Sequence, residues 1–152
     1  MNKALNNYFN QIELLRDYFD KGKTRDISYR KELLQNLYIE IEKHSDLICE
    51  AVHKDFHKSK EEMLITEVFP VLSEIKYTIS NLKSWSKPKT VWSNILIQPS
   101  LSKIHASPKG MVLIFAPWNY SFYLAMMPFV SAIAAGNVVI LKPAHETENV
   151  SN

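Results

Sequence analysis

Only three of the 152 residues are glycine (Gly22, Gly110 and Gly136), so neither a phosphate-binding P-loop nor the usual glycine-rich dinucleotide fingerprint can be written with this chain. Cys49 is the one cysteine. An intramolecular disulfide is therefore excluded, and a reducing, cytoplasmic setting is the expected one. The first residues lack the basic, apolar, small-residue order of a secretory signal. An excess of one charge is missing too: 18 Lys+Arg against 16 Asp+Glu leave a net +2, with no run of like charges longer than two residues. Nothing in that balance favours nucleic acid or an acidic membrane surface. Trp85, Trp92 and Trp118 are not interleaved with basic residues, so a platform for stacking bases is not expected.

What is present is the composition of a soluble globular chain, 46% hydrophobic and 22% charged, long enough for one ordinary domain. Residues 110–141 carry no charge, which by length alone is the cue for a transmembrane helix. Pro117, Asn119 and Ser121 break that stretch early, Pro128 sits in its middle and Gly136-Asn137 marks a turn. A buried strand, helix, strand unit is expected in its place, with no membrane span.

Helical spacing of apolar residues opens the chain. Leu5, Tyr8, Phe9, Ile12, Leu15 and Phe19 predict one amphipathic helix stopped at Lys21-Gly22. Leu33, Leu34, Leu37 and Ile41 predict a second, and Leu47, Ile48, Ala51 and Val52 a third with Ser45 as its cap. From Glu61 the series Ile65, Val68, Leu72, Ile75, Ile79 and Leu82 predicts a fourth, in which Pro70 must kink the helix or reset its start. After Lys87-Pro88-Lys89 the character changes. Alternating Ile95 and Ile97, then Leu101 and Ile104, around Gln98-Pro99-Ser100 predict a strand pair or ribbon. Residues 111–116 and 138–141 then read as apolar strands flanking a helix over 122–135.

Continuously apolar strands joined through a helix are expected to lie parallel, buried on both faces, with a right-handed crossover. Their carboxyl ends then share one edge, bringing Pro117-Trp118-Asn119 beside Lys142-Pro143 where open α/β sheets bind ligands. Two such strands are too few for a sheet covered on both sides, so the unit calls for further strands.

The stretch PKGMVLIFAPWNYSFYLAMMPFVSAIAAGNVVILKPA resembles the first βαβ unit of the aldehyde dehydrogenase superfamily, through the paired blocks APWNY and AAGNVVILKP. RKELLQNLYIEIEKH, ICEAVHKDFHKSKEE and TEVFPVLSEIKYTISNLKSW look like the shorter, class 3 type, which includes fatty aldehyde dehydrogenases. The resemblance covers essentially the whole chain. It implies an α/β fold: N-terminal helices within the cofactor domain (1–90), an oligomerisation ribbon (91–107) and the first βαβ unit of an incomplete Rossmann-like NAD(P)-binding domain (108–152).

The family oxidises an aldehyde to an acid with NAD or NADP, through a cysteine thiolate and a glutamate base. By resemblance Asn119 is the oxyanion donor, Lys142 holds the adenosine ribose, Ala116, Pro117 and Trp118 line the cofactor cleft, and Tyr120 borders the substrate tunnel. His145 stands where the family pattern has an acidic residue after the lysine, with Glu146 next, which leaves NAD or NADP open. The nucleophile, the base and the second cofactor segment lie beyond residue 152 in a complete member, so these 152 residues alone are expected to be inactive. The implied partners are a small aldehyde and either a second copy, as a dimer, or a complementary C-terminal chain.

Plainer readings stand beside these. Asn119 could cap the helix that follows it, and Lys142 could be a solvated strand-end residue. His53 and His57, spaced i, i+4, could face a metal, although a solvated polar face is the simpler reading and no third ligand is evident. Cys49, among Leu47, Ile48 and Val52, reads as an inert buried thiol.

Overall fold

The computed structural model describes the backbone of residues 3–151 and the side chains of residues 7–151. Helix α1 (Lys3–Asp20) stops where expected, because Gly22 takes the left-handed conformation (φ +76°) that ends helices cheaply. Ile12, Leu15 and Phe19 are half-buried, whereas Tyr8 and Phe9 stay exposed; the side chain of Leu5 lies outside the described residues. After a 3₁₀ turn, Lys23–Arg25, the Asp26 carboxylate accepts the Tyr29 amide at 3.0 Å and caps α2 (Ile27–Lys43). That hydrogen bond holds the Asp26 carboxyl below the usual range.

Helix α3 (Ser45–Phe56) corrects the predicted cap. Ser45 is its first helical residue, and His44 at the boundary offers no side-chain bond. The gap between α2 and α3 is that single residue, whose own N–H still bonds Glu40 at 3.0 Å, so no extended residue is available as a cap.

Pro70 resets the next helix rather than kinking it. The segment splits into α4 (Lys60–Met63), capped by Ser59 Oγ on the Glu62 amide at 3.1 Å, a π turn over Leu64–Val68, and α5 (Phe69–Trp85). Proline carries no N–H and clashes with the carbonyl four residues back, at Thr66. The backbone widens instead, and the Phe69 amide reaches the Leu64 carbonyl, five residues earlier.

Leu34 of α2, Val52 of α3, Met63 of α4, Ile75 of α5 and Val130 of helix α6 (Ser121–Ala134) meet in one fully buried cluster. Arg30 reaches across it. Its guanidinium donates to the carbonyls of Ala134 (2.7 Å), Arg25 (3.0 Å) and Asp26 (3.3 Å), tying α2 to the last turn of α6. Burial lowers the pKa of this group, and the three carbonyls offset the cost of desolvating it.

The ribbon is a strand pair, but not over the alternating isoleucines. Strands β1 (Lys89–Val91) and β2 (Ser102–Ile104) pair antiparallel with Thr90 opposite Lys103. Ile95–Ile97 forms a 3₁₀ turn between them. The Asn94 carboxamide oxygen accepts the Leu96 amide at 3.0 Å and winds the chain locally before a ladder can extend.

Strands β3 (Met111–Phe115) and β4 (Val138–Lys142) pair in parallel through α6, with Met111 opposite Val138 and Phe115 opposite Lys142. The βαβ order is as predicted; burial on both faces is not. Ile114 is buried, while Leu113 and Phe115 are 52% and 71% exposed. Burial on both faces needs a full layer on each, and the described residues leave Leu113 and Phe115 largely uncovered.

Candidate functional site at the carboxyl edge of the parallel strands

The register places the predicted site residues. Beyond the last strand pair, the Ala116 amide donates to the Lys142 carbonyl at 3.0 Å. The loop through Pro117, Trp118 and Asn119 therefore leaves the sheet directly beside Pro143. Ala116 is buried beneath it, whereas Pro117, Trp118, Asn119, Lys142 and His145 are all exposed. Trp118 leans on Phe56 at the end of α3, ring centroids 6.3 Å apart.

Lys142 and His145 share a shallow depression of about 390 Å³ with Pro143, Ala144, Glu148 and Ser151. Asn119 and Tyr120 lie outside it, on the neighbouring loop. The floor of the depression is anchored from α3: the Asp55 carboxylate accepts the Asn149 amide (3.1 Å), its side-chain N–H (2.7 Å) and the Val150 amide (3.1 Å) at the start of the short α7 (Glu148–Ser151). Partial burial pushes the Asp55 pKa up, but these hydrogen bonds outweigh it and hold the group below the usual carboxylate range. A larger cavity, about 800 Å³ with Phe19, Arg30, Trp85 and Pro108 among its walls, opens at the opposite, amino edge. Parallel sheets do not bind ligands at that edge as a rule, and none of the predicted site residues lines it.

Asn119 does not cap α6. The boundary residue is Tyr120, in the left-handed conformation (φ 46°, ψ 51°), with no capping bond of its own. The cap comes from Glu67, a fully buried carboxylate in the π turn. Its Oε2 accepts the amides of Phe122 (3.0 Å) and Tyr123 (3.3 Å), and its Oε1 accepts Lys58 Nζ at 2.9 Å. Lys58 Nζ also sits 4.1 Å from the centroid of the Tyr120 ring. Sequence reasoning missed both residues. The available signal was a glutamate on the core stripe, spaced i, i+4, i+8 with buried Met63 and Val71.

His53 and His57 do not share a helical face, since His57 lies past the end of α3 in a left-handed conformation (φ 57°) and His53 Nδ1 is 2.8 Å from the Lys58 carbonyl oxygen. Cys49 is 3% exposed within the core cluster, and burial pushes its thiol up. Both facts starve it of reactive thiolate. Iodoacetamide is expected to label Cys49 in the native chain on the order of tenfold or more slower than in denatured chain. Equal rates, read by mass spectrometry, would place the thiol at the surface.

Residues 10–152 match the model of the aldehyde dehydrogenase family. The chain is 42% identical over 134 residues to the 4,4'-diaponeurosporen-aldehyde dehydrogenase of Staphylococcus aureus, a match covering 88% of this chain and 29% of that protein. It is 38% identical over 139 residues to human aldehyde dehydrogenase family 3 member B1, covering 91% of this chain and 30% of the relative. Among solved structures, the substrate-bound state of Staphylococcus aureus AldH superposes with a TM-score of 0.91 at 38% identity, over 99% of this chain and 32% of that one. The chain thus spans about 30% of the length of the relatives it matches.

Proposed function

Because the chain belongs to the aldehyde dehydrogenase family, we propose that it forms the amino-terminal part of an enzyme oxidising an aldehyde to a carboxylic acid with NAD or NADP. The observation that carries this reading is the adjacency of Asn119 and Lys142 at one sheet edge, fixed by the pairing of Phe115 with Lys142 and the Ala116 amide bond beyond it. One extended nucleotide can lie across both strand ends.

In this reading the exposed Asn119 side chain donates an N–H to the oxygen that gains charge when a thiolate attacks the aldehyde. Lys142 holds ribose hydroxyls, with His145 on the same depression, and Ala116, Pro117 and Trp118 wall the cofactor cleft. Tyr120 borders the path of the aldehyde. The segments divide as helical part (1–90), ribbon (91–107) and opening of the nucleotide domain (108–152). NAD(P) supplies the hydride acceptor when bound; the residues named here bind and orient.

The one cysteine of these 152 residues, Cys49, is buried in the helical core cluster and is not the family's nucleophile in this reading. Incubated with NAD or NADP and a panel of aldehydes, the polypeptide is expected to form no reduced cofactor. Turnover by the pure chain would sink the proposal. Grafted in place of the matching segment of the Staphylococcus aureus relative, which would supply the missing groups, it is expected to restore aldehyde oxidation that depends on Asn119.

A second reading has its own observation. Trp92, Ile95, Leu96 and Leu101 on and around the ribbon are each more than 80% exposed. Such a patch is typical of an interface, so the chain could also pair with itself as a dimer, or with a separate C-terminal polypeptide. Sedimentation of the purified chain tests it: a monomer at every concentration would remove self-pairing. In the described residues no helix is long and apolar enough to cross a membrane.

A further inference from the structure

The loop that carries Asn119 is held in a conformation it would not adopt alone. Tyr120 is an aromatic residue at φ 46°, ψ 51°, where the Cβ of an L-residue crowds the following carbonyl oxygen. Such backbone persists only where its surroundings over-determine it. Two groups do so here, both from the segment before α5. The Glu67 carboxylate occupies the position a local N-cap side chain would take, accepting the second and third amides of α6. Lys58 pairs with that carboxylate and lies over the Tyr120 ring.

The placement of Glu67 follows from the sequence around it. Pro70 forces the π turn over Leu64–Val68, and Glu67 lies within that turn, fully buried and pointing at α6. A buried carboxylate is costly unless its charge is paired and both oxygens are hydrogen-bonded. Two backbone amides on one oxygen and one ammonium group on the other meet that need.

We propose that Glu67, seated by Lys58, is a positioning residue: it fixes the start of α6, and through Tyr120 the loop bearing Asn119, so that the carboxamide meets the reacting oxygen in register. Glu67 touches neither substrate nor cofactor in this role. The proposal rests on the reading of Asn119 as oxyanion donor, and the test separates the two.

The test uses the graft in the Staphylococcus aureus relative, with Asn119→Ala, Glu67→Ala, Glu67→Gln and Lys58→Met compared by kcat, KM for cofactor and thermal midpoint. In parallel, hydrogen exchange of the Phe122 and Tyr123 amides is followed in the 152-residue chain. Asn119→Ala is expected to lower kcat by about 10²–10³. Glu67→Ala is expected to lower kcat by roughly 10-fold to 10²-fold, with KM for cofactor little changed, because a 1 Å misplacement suffices for such a loss. Glu67→Gln, which keeps an oxygen for the two amides, recovers part of it, and Lys58→Met falls between. Exchange at Phe122 and Tyr123 accelerates in the Ala variant. If Glu67→Ala fails to fold, Glu67→Gln and Lys58→Met carry the comparison. A kcat unchanged in the folded Glu67 and Lys58 variants, while Asn119→Ala is crippled, overturns the positioning role and leaves the Asn119 reading standing. An unaffected Asn119→Ala removes that reading and the catalytic half of this proposal, and the exchange data then report Glu67 as a structural cap alone.

Discussion

Replacing Ile75 by alanine is expected to be among the two most damaging single changes to the fold, lowering stability by about 2–5 kcal/mol. Ile75 is fully buried on α5, in the cluster with Leu34 of α2 and Val130 of α6. Truncation removes the transfer free energy of its lost carbons and leaves a cavity that helices tied on several sides cannot close. A domain of this size has about 5–15 kcal/mol in total. The loss is thus a large share, and at roughly 2–4 °C per kcal/mol the thermal midpoint falls by about 5–20 °C. Ile65→Ala is the control, since Ile65 is 66% exposed in the π turn and surface changes stay within about 0.5 kcal/mol. Urea melts of both variants decide it: equal midpoints would mean that α5 does not pack as described.

Gly136→Ala is expected to cost a comparable amount, on the order of 2–5 kcal/mol, from two sources. Gly136 ends α6 at φ +87°, where its amide bonds the Ile133 carbonyl at 2.9 Å, and an L-residue there pays the left-handed penalty. An added Cβ would also stand 2.9 Å from the Thr24 carbonyl oxygen, which is backbone and cannot rotate away, with Arg30 Cδ and Pro108 Cβ each 3.6 Å off. The 3₁₀ turn or α6 must shift, and with it the bond from Arg30 to Ala134. Gly22→Ala separates the two sources. Gly22 is left-handed too (φ +76°), but its Cβ would meet only Arg25 Cδ at 3.8 Å, so it should lose the backbone penalty alone. If both variants melt together, the contact with Thr24 has no energetic weight.

The candidate site was legible where chemistry sits on contiguous residues. The blocks around Asn119 and Lys142 and the β, α, β order around them were enough to bring the two residues to one edge, because parallel pairing follows from the crossover. The reading went wrong where a neighbour's arrangement decides. Ser45 has the chemistry of a cap but no extended position to act from. Ile95 and Ile97 alternate like a strand, yet Asn94 winds them into a turn. Leu113 and Phe115 read as doubly buried, and both are largely exposed.

By itself, then, the sequence determined the helices, the parallel pair, the glycine stop at Gly22 and the family, because each depends on spacing along a few turns or on an uninterrupted motif. Only the tertiary structure decided how α6 begins. Phe122 takes its cap from Glu67, 55 residues away, and Lys58 reaches both that carboxylate and the Tyr120 ring. A side chain's hydrogen-bond partner is fixed by which backbone is brought within about 3 Å, and no local pattern around residue 67 or residue 122 encodes that approach.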